Sequence, residues 1–114
     1  MGVAEQLQVE VTHVSDRVIL TLTGELDMAS APLLQSAVEG ADLDARERVV
    51  VDLKGLEFVD STGLRVILAL RKLCSERGQE LAVTQGSQQV QRLLSVTGVA
   101  DHLTIISSPD APLE

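Results

Sequence analysis

Residues 7–13, LQVEVTH, alternate apolar and polar side chains: Leu7, Val9 and Val11 fall on one face, and Gln8, Glu10 and Thr12 on the other. A period of two predicts a half-exposed strand. Ser15 and Asp16 supply turn chemistry, and RVILTLTG (17–24) resumes the alternation, with Val18, Leu20 and Leu22 set against Ile19, Thr21 and Thr23. So short a connection predicts an antiparallel hairpin. Gly24 is read as the end of the second strand. In GELDMASAPLLQSAVEG (24–40) the spacing turns helical, with Leu33, Leu34, Ala37 and Val38 on one face. Asp27 or Ser30 suits the cap, Pro32 suits the first turn, where its missing N–H costs little, and Gly40 stops the helix.

A polar connection (41–47) leads to RVVVDL (48–53), a continuous apolar run with the look of a central strand covered on both faces. A second helix is expected from about Thr62 to about Arg77. Leu64, Val66, Ile67, Leu68, Leu70, Leu73 and Cys74 occupy most of its circumference. Arg65, Lys72 and Glu76 fall within roughly 40° of one another. The pattern predicts a largely buried helix with a narrow charged stripe. Gly78 ends it, and ELAVTQ (80–85) predicts a short strand. Ser87 opens a third helix carrying Val90, Leu93, Leu94 and Thr97, Gly98 ends that helix, and HLTII (102–106) predicts a last strand. The tail SSPDAPLE (107–114) has no periodicity and is expected to fray.

Strand–helix–strand units make parallel neighbours through right-handed crossovers. The expected fold is therefore α/β: a mixed sheet with a parallel core and an antiparallel N-terminal edge strand, flanked by helices. At 114 residues, one domain is expected over 1–114, with its core at about 7–106.

Composition narrows the function. The chain has one Phe and neither Trp nor Tyr. The core must be aliphatic, and stacking on single-stranded nucleic acid is disfavoured. A net charge of −8 with no basic run argues against a phosphate backbone or an anionic membrane as partner. A locally basic partner suits this charge better. No apolar run is long enough to span a bilayer and no signal-peptide pattern opens the chain, so a cytoplasmic location is expected. Cys74 is the only cysteine, so no intramolecular disulfide forms. Its place in an apolar helical pattern predicts a buried structural thiol. His13 and His102 lie in or beside strands without metal-site spacing, and neither a metal nor a cofactor is expected. Nucleophile elbow, phosphate loop and dinucleotide fingerprint are all missing, which argues against an enzyme.

The remaining chemistry lies in FVDSTGLRVIL (58–68). A Ser or Thr ahead of an apolar helix is an ordinary N-cap worth about 1 kcal/mol, and capping alone is the economical reading. Two features exceed it. The preceding LKGLEFVD lacks a compact turn, and an acid with two hydroxyls stands at the carboxyl end of a central strand, where open α/β sheets present their sites. A rigidly held, exposed hydroxyl there suits a kinase acceptor. Arg65, one turn on, is either a solvated residue of the polar stripe or a cation that draws a phosphate onto the helix.

VVVDLKGLEFVDSTGLRVIL (49–68) resembles the signature of the anti-sigma-factor antagonists, the bacterial STAS-domain family. GELDMASAP (24–32) resembles that family's other characteristic stretch, and TQGSQQVQRLLSVTGVADHLTII (84–106) its third. Together they cover about residues 7–106, in order. The resemblance implies a partner-switching protein that binds an anti-sigma factor with serine kinase activity. Ser61 would be the phosphoacceptor and Asp60 its flanking acid. Thr62 and Gly63 belong to the same motif, and Gly24, Glu25 and Asp27 would line the neighbouring binding loop. A phosphoserine phosphatase would restore the unmodified form. The alternative within the same fold is an unphosphorylated subunit of a transport assembly, such as an ABC-type lipid transporter.

Overall fold

The computed structural model describes residues 7–41 and 48–112. Most of the polar connection expected at 41–47 therefore lies outside the described residues. Five strands and three helices alternate: β1 (Gln8–Val14), β2 (Arg17–Leu26), α1 (Ala31–Gly40), β3 (Arg48–Val59), α2 (Ser61–Glu76), β4 (Glu80–Thr84), α3 (Gln88–Val96) and β5 (Thr104–Ile106). A short 3-10 helix, Val99–His102, precedes β5, so His102 stands outside the strand in which the sequence pattern put it.

The strands lie in chain order, β1-β2-β3-β4-β5, with β1 antiparallel to β2 and every other pair parallel. The hairpin forms as expected, its two-residue turn placing Ser15 at φ 51°. The order fixes the layering. Right-handed crossovers that advance in one direction along a sheet carry every helix to the same side. Accordingly Leu34 of α1, Leu64, Ile67, Leu70 and Cys74 of α2, and Val90 and Leu94 of α3 share one core with Val18, Leu20, Leu22, Val49, Val51, Leu53, Leu81 and Val83 of the sheet. The helices flank one face only.

Further expectations are corrected, first in the strands. Gly24 does not end β2, and β3 does not stop at 53: both run on, to Leu26 and Val59. Gly24, at φ 100°, sits at a shift in β2–β3 register, a conformation that glycine adopts without strain. β4 pairs with β3 only as far as Val51. Beyond that point the hydroxyl of Thr84, fully buried, accepts from Leu53 N at 2.8 Å and donates to Asp52 Oδ1 at 2.8 Å. A side chain thus replaces the ladder where the strands part.

The second correction concerns α2. It buries one face, while Arg65, Ala69, Arg71, Lys72, Ser75 and Glu76 are all exposed. Its polar surface is broad, because Val66, Leu68 and Leu73 are only partly covered. The third concerns α1, where Leu34 turns inward and Leu33, one residue earlier, is 48% exposed.

Cys74 is buried, as expected. Desolvation pushes its thiol up to about 11 from 9.0, with Arg77 pulling weakly the other way. Because the folded-state value is the higher one, burial of the neutral thiol favours the fold fully below pH 9.0. That contribution is lost as pH rises through about 11. A maleimide reagent at pH 7 is expected to leave the native chain unlabelled and to label it quantitatively in denaturant, as read by intact mass. Rapid labelling of native protein would contradict the burial.

Candidate functional site

The site is built where β2 and β3 end. Asp60 N donates to Leu26 O at 3.1 Å, closing the strand pair. The next residue starts α2. The cap of that helix is Asp60, not the serine or threonine of the capping-only reading: Asp60 is extended (φ −106°, ψ −175°), and its Oδ1 accepts from Gly63 N at 2.9 Å. A carboxylate has a second oxygen to use. Asp60 Oδ2 accepts from Met28 N at 3.2 Å, in the loop between β2 and α1. One side chain therefore ties the first turn of α2 to the GELDM loop, with a separate carboxylate oxygen for each bond.

The loop is stiffened from within. Asp27 Oδ1 accepts from Ser30 N at 3.0 Å, and Ser30 Oγ accepts from Asp27 N at 2.9 Å. The same Ser30 hydroxyl lies 2.8 Å from Glu25 O and 3.0 Å from Asp27 Oδ1, either of which can take its proton. Ser30 is the N-cap residue of α1 by position, yet its side chain makes no capping bond to that helix, and Pro32 occupies the first turn. Glu25 is half-buried and pairs in register with Phe58.

Gly63 is buried at the crossing of α2 over β2. A Cβ there would lie 2.7 Å from both Leu26 Cγ and Leu26 O and 2.8 Å from Val59 Cγ2, so only glycine admits this approach. Gly24 is likewise buried. Of the residues singled out in the sequence, these two shape the backbone, and Asp60 and Asp27 bind it.

Ser61 is different. It is the first residue of α2 and exposed, and its hydroxyl makes no hydrogen bond among the described residues. Thr62 is partly exposed, with its hydroxyl equally unengaged. Arg65 is exposed one turn further on, with no ion pair among the described residues. Two neighbours escaped the sequence reading. Met28 is 74% exposed and Phe58, the sole aromatic, is 47% exposed. An open groove of about 450 Å³ runs past Ser61, bounded by Glu57, Phe58 and Asp60 on one side and Gln89, Val90 and Leu93 of α3 on the other. The signal was available: Met28 and Phe58 are apolar residues beside the two motifs for which neither helix nor strand periodicity found a use.

Comparison with known proteins fixes the family. The STAS domain family model matches residues 8–111. The chain belongs to the STAS domain family. This STAS domain is 37% identical over 94 residues to the anti-sigma F factor antagonist of Paenibacillus polymyxa, an alignment covering 82% of this chain and 80% of the relative. It shares its fold with the crystal structure of an anti-sigma factor antagonist from Mycobacterium paratuberculosis, at TM-score 0.84 and 22% identity, over 96% of this chain and 93% of that one. A Bacillus cell fate determinant solved in the phosphorylated form has the same fold, at TM-score 0.66 and 16% identity, over 87% and 91% of the two chains. Among its described residues the STAS domain has no helix long and apolar enough to cross a membrane, and no cluster of His, Cys, Asp and Glu able to hold a metal ion.

Proposed function

We propose that this STAS domain is an anti-sigma-factor antagonist, a binding module whose docking to an anti-sigma factor with serine kinase activity is ended by phosphorylation of Ser61. A phosphoserine phosphatase restores the docking form. The curated relatives carry the first part of this reading. The second rests on one observation: the Ser61 hydroxyl is exposed and unengaged while its neighbour Asp60 does the capping, so Ser61 can be modified without removing any bond of the fold.

The docking surface is the rim around Ser61. Met28 and Phe58 supply exposed apolar area, and Glu25, Asp27, Glu57 and Asp60 make its surroundings acidic. Apolar anchors ringed by charge are what a locally basic partner requires. Gly24 and Gly63 contribute by holding the two segments close, Thr62 and Arg65 by edging the surface.

A phosphate on Ser61 adds close to two negative charges. The fold tolerates it, because the first N–H groups of a helix and the helix dipole favour an anion. A partner packed on the same spot must desolvate that dianion beside existing carboxylates, at a cost of several kcal/mol. Arg65 is placed to screen the phosphate within the domain. The Ser61 hydroxyl has no base hydrogen-bonded to it among the described residues, which supports reading it as an acceptor of modification in place of a hydrolytic nucleophile.

The test is incubation with the purified anti-sigma kinase and ATP, followed by intact-mass measurement. The wild-type chain is expected to gain one phosphate and Ser61→Ala none, while Ser61→Ala still binds the kinase. Equal phosphorylation of both would remove Ser61 from its role. Isolation with a lipid-transport ATPase in place of an anti-sigma factor would overturn the function.

A further inference from the structure

The sheet face that carries no helix nevertheless holds a dry patch. Ile19, Val50, Ala82 and Ile106, from four adjacent strands, form a second apolar cluster in which Val50 and Ala82 are 0% exposed. No helical side chain belongs to it. Water is excluded by the chain's own C-terminal segment, whose Ala111 packs against the cluster. Arg17, at the start of β2, holds that segment by its backbone: Nη1 donates to Pro109 O at 2.5 Å and to Ala111 O at 3.0 Å.

The segment is shaped for its seat. Ala111 N donates to Ser108 O at 3.0 Å, closing a turn, and Ser108 Oγ donates to Asp110 Oδ1 at 2.8 Å. That hydroxyl, then a backbone N–H, and then attraction from Arg17 and Lys54 hold the Asp110 carboxyl below the usual carboxylate range. Two carbonyls read by a guanidinium and a small methyl on a dry patch together make up a recognition mode for a short peptide.

We propose that the helix-free face is a docking surface for a turn-shaped acidic segment, and that residues 108–111 are its occupant, held in cis and exchangeable for the same segment in trans. The surface is separate from the Ser61 rim, which belongs to the helical side of the sheet, so both can be filled at once. Tethering favours the cis occupant, because a short linker supplies an effective concentration in the millimolar range.

The test uses the full chain. Ala111→Lys adds bulk on the apolar cluster and a like charge beside Arg17, freeing the face while Arg17 stays intact. Labelled with ¹⁵N, this variant is titrated with the synthetic peptide SSPDAPLE, well below the millimolar effective concentration of the tether. Saturable shifts are expected at the amides of Ile19, Val50, Ala82 and Ile106. The wild type should show none, and adding Arg17→Ala should weaken peptide binding at least about tenfold. No saturable shift in Ala111→Lys, equal shifts in the wild type, or a dimer of the variant with a second copy on the face would each overturn the proposal. A second measurement needs no peptide. Arg17→Ala in the otherwise unchanged chain should speed hydrogen exchange at the Ala111 amide at least about tenfold while the Val50 and Ala82 amides keep their protection. Unchanged exchange at Ala111 would overturn the proposal as well.

Discussion

Ser61→Asp is expected to weaken the complex with the anti-sigma factor at least about thirtyfold, with no loss of fold stability. A carboxylate at this position mimics part of the phosphate charge. Buried against a partner without a matching cation, it costs about 2–5 kcal/mol, and each 1.4 kcal/mol is a factor of ten in affinity. The same carboxylate stands at the first position of α2, where the helix dipole favours an anion by about 0.3–1 kcal/mol. Binding and stability must therefore move apart. Calorimetric titration reads the first, and urea unfolding the second. Ser61→Ala removes no hydrogen bond among the described residues and should change neither by more than a few tenths of a kcal/mol. If Ser61→Asp bound as tightly as wild type, charge at this hydroxyl would not be the switch. If it bound weakly only because it unfolded, the unfolding midpoint would fall with it.

Gly63→Ala is expected to be the most damaging single-methyl change among the residues of the motif. Within a helix, Ala normally gains up to about 1 kcal/mol over Gly. Here the added Cβ meets Leu26 O, a backbone atom of β2, at 2.7 Å, with Val59 Cγ2 at 2.8 Å on another side. A side chain can rotate away; a strand carbonyl inside the sheet cannot. The helix must lift, which loosens Leu64 and Ile67 from the core and breaks the Asp60 bond to Gly63 N. Overpacking of this kind costs about 1–3 kcal/mol, and more when the obstacle is backbone. The net expectation is a loss above about 2 kcal/mol, against a total of about 5–15 kcal/mol for a typical domain. A urea midpoint that rose, as helix propensity alone demands, would refute the close approach.

The alternation of strand and helix was legible because each element obeys its own period, and the stops at Gly78 and Gly98 both fall at positive φ, 74° and 80°. Ser87 was read as opening α3, and its side chain accepts from Val90 N there. The extensions of β2 and β3 were not legible. Gly24 and Gly55 interrupt the apolar pattern, and nothing local tells a glycine that ends a strand from one that sits at a bulge. The one-sided layering was hidden for a different reason. Val50 and Ala82 are as apolar as any core residue, and the pattern shows that they are covered but not by what. Strand order decides that, and order is a property of long-range pairing.

At the site, the structure brings the DSTG and GELD segments together through Asp60, and the capping role falls to the acid, not to a hydroxyl. Three adjacent polar residues competed for the cap, and only the position of the Met28 N–H shows why the carboxylate holds it. Asp27 is spent on Ser30, three residues along, a pairing that sequence spacing allows but does not distinguish from a free surface acid.

The two-armed grip of Asp60 has a consequence for timing. One carboxylate clamps both segments of the rim, so the added charge acts on a surface whose two halves are already joined. In the proposed cycle the state of the domain is then written in charge alone. In such a cycle the response follows the enzymes that add and remove phosphate.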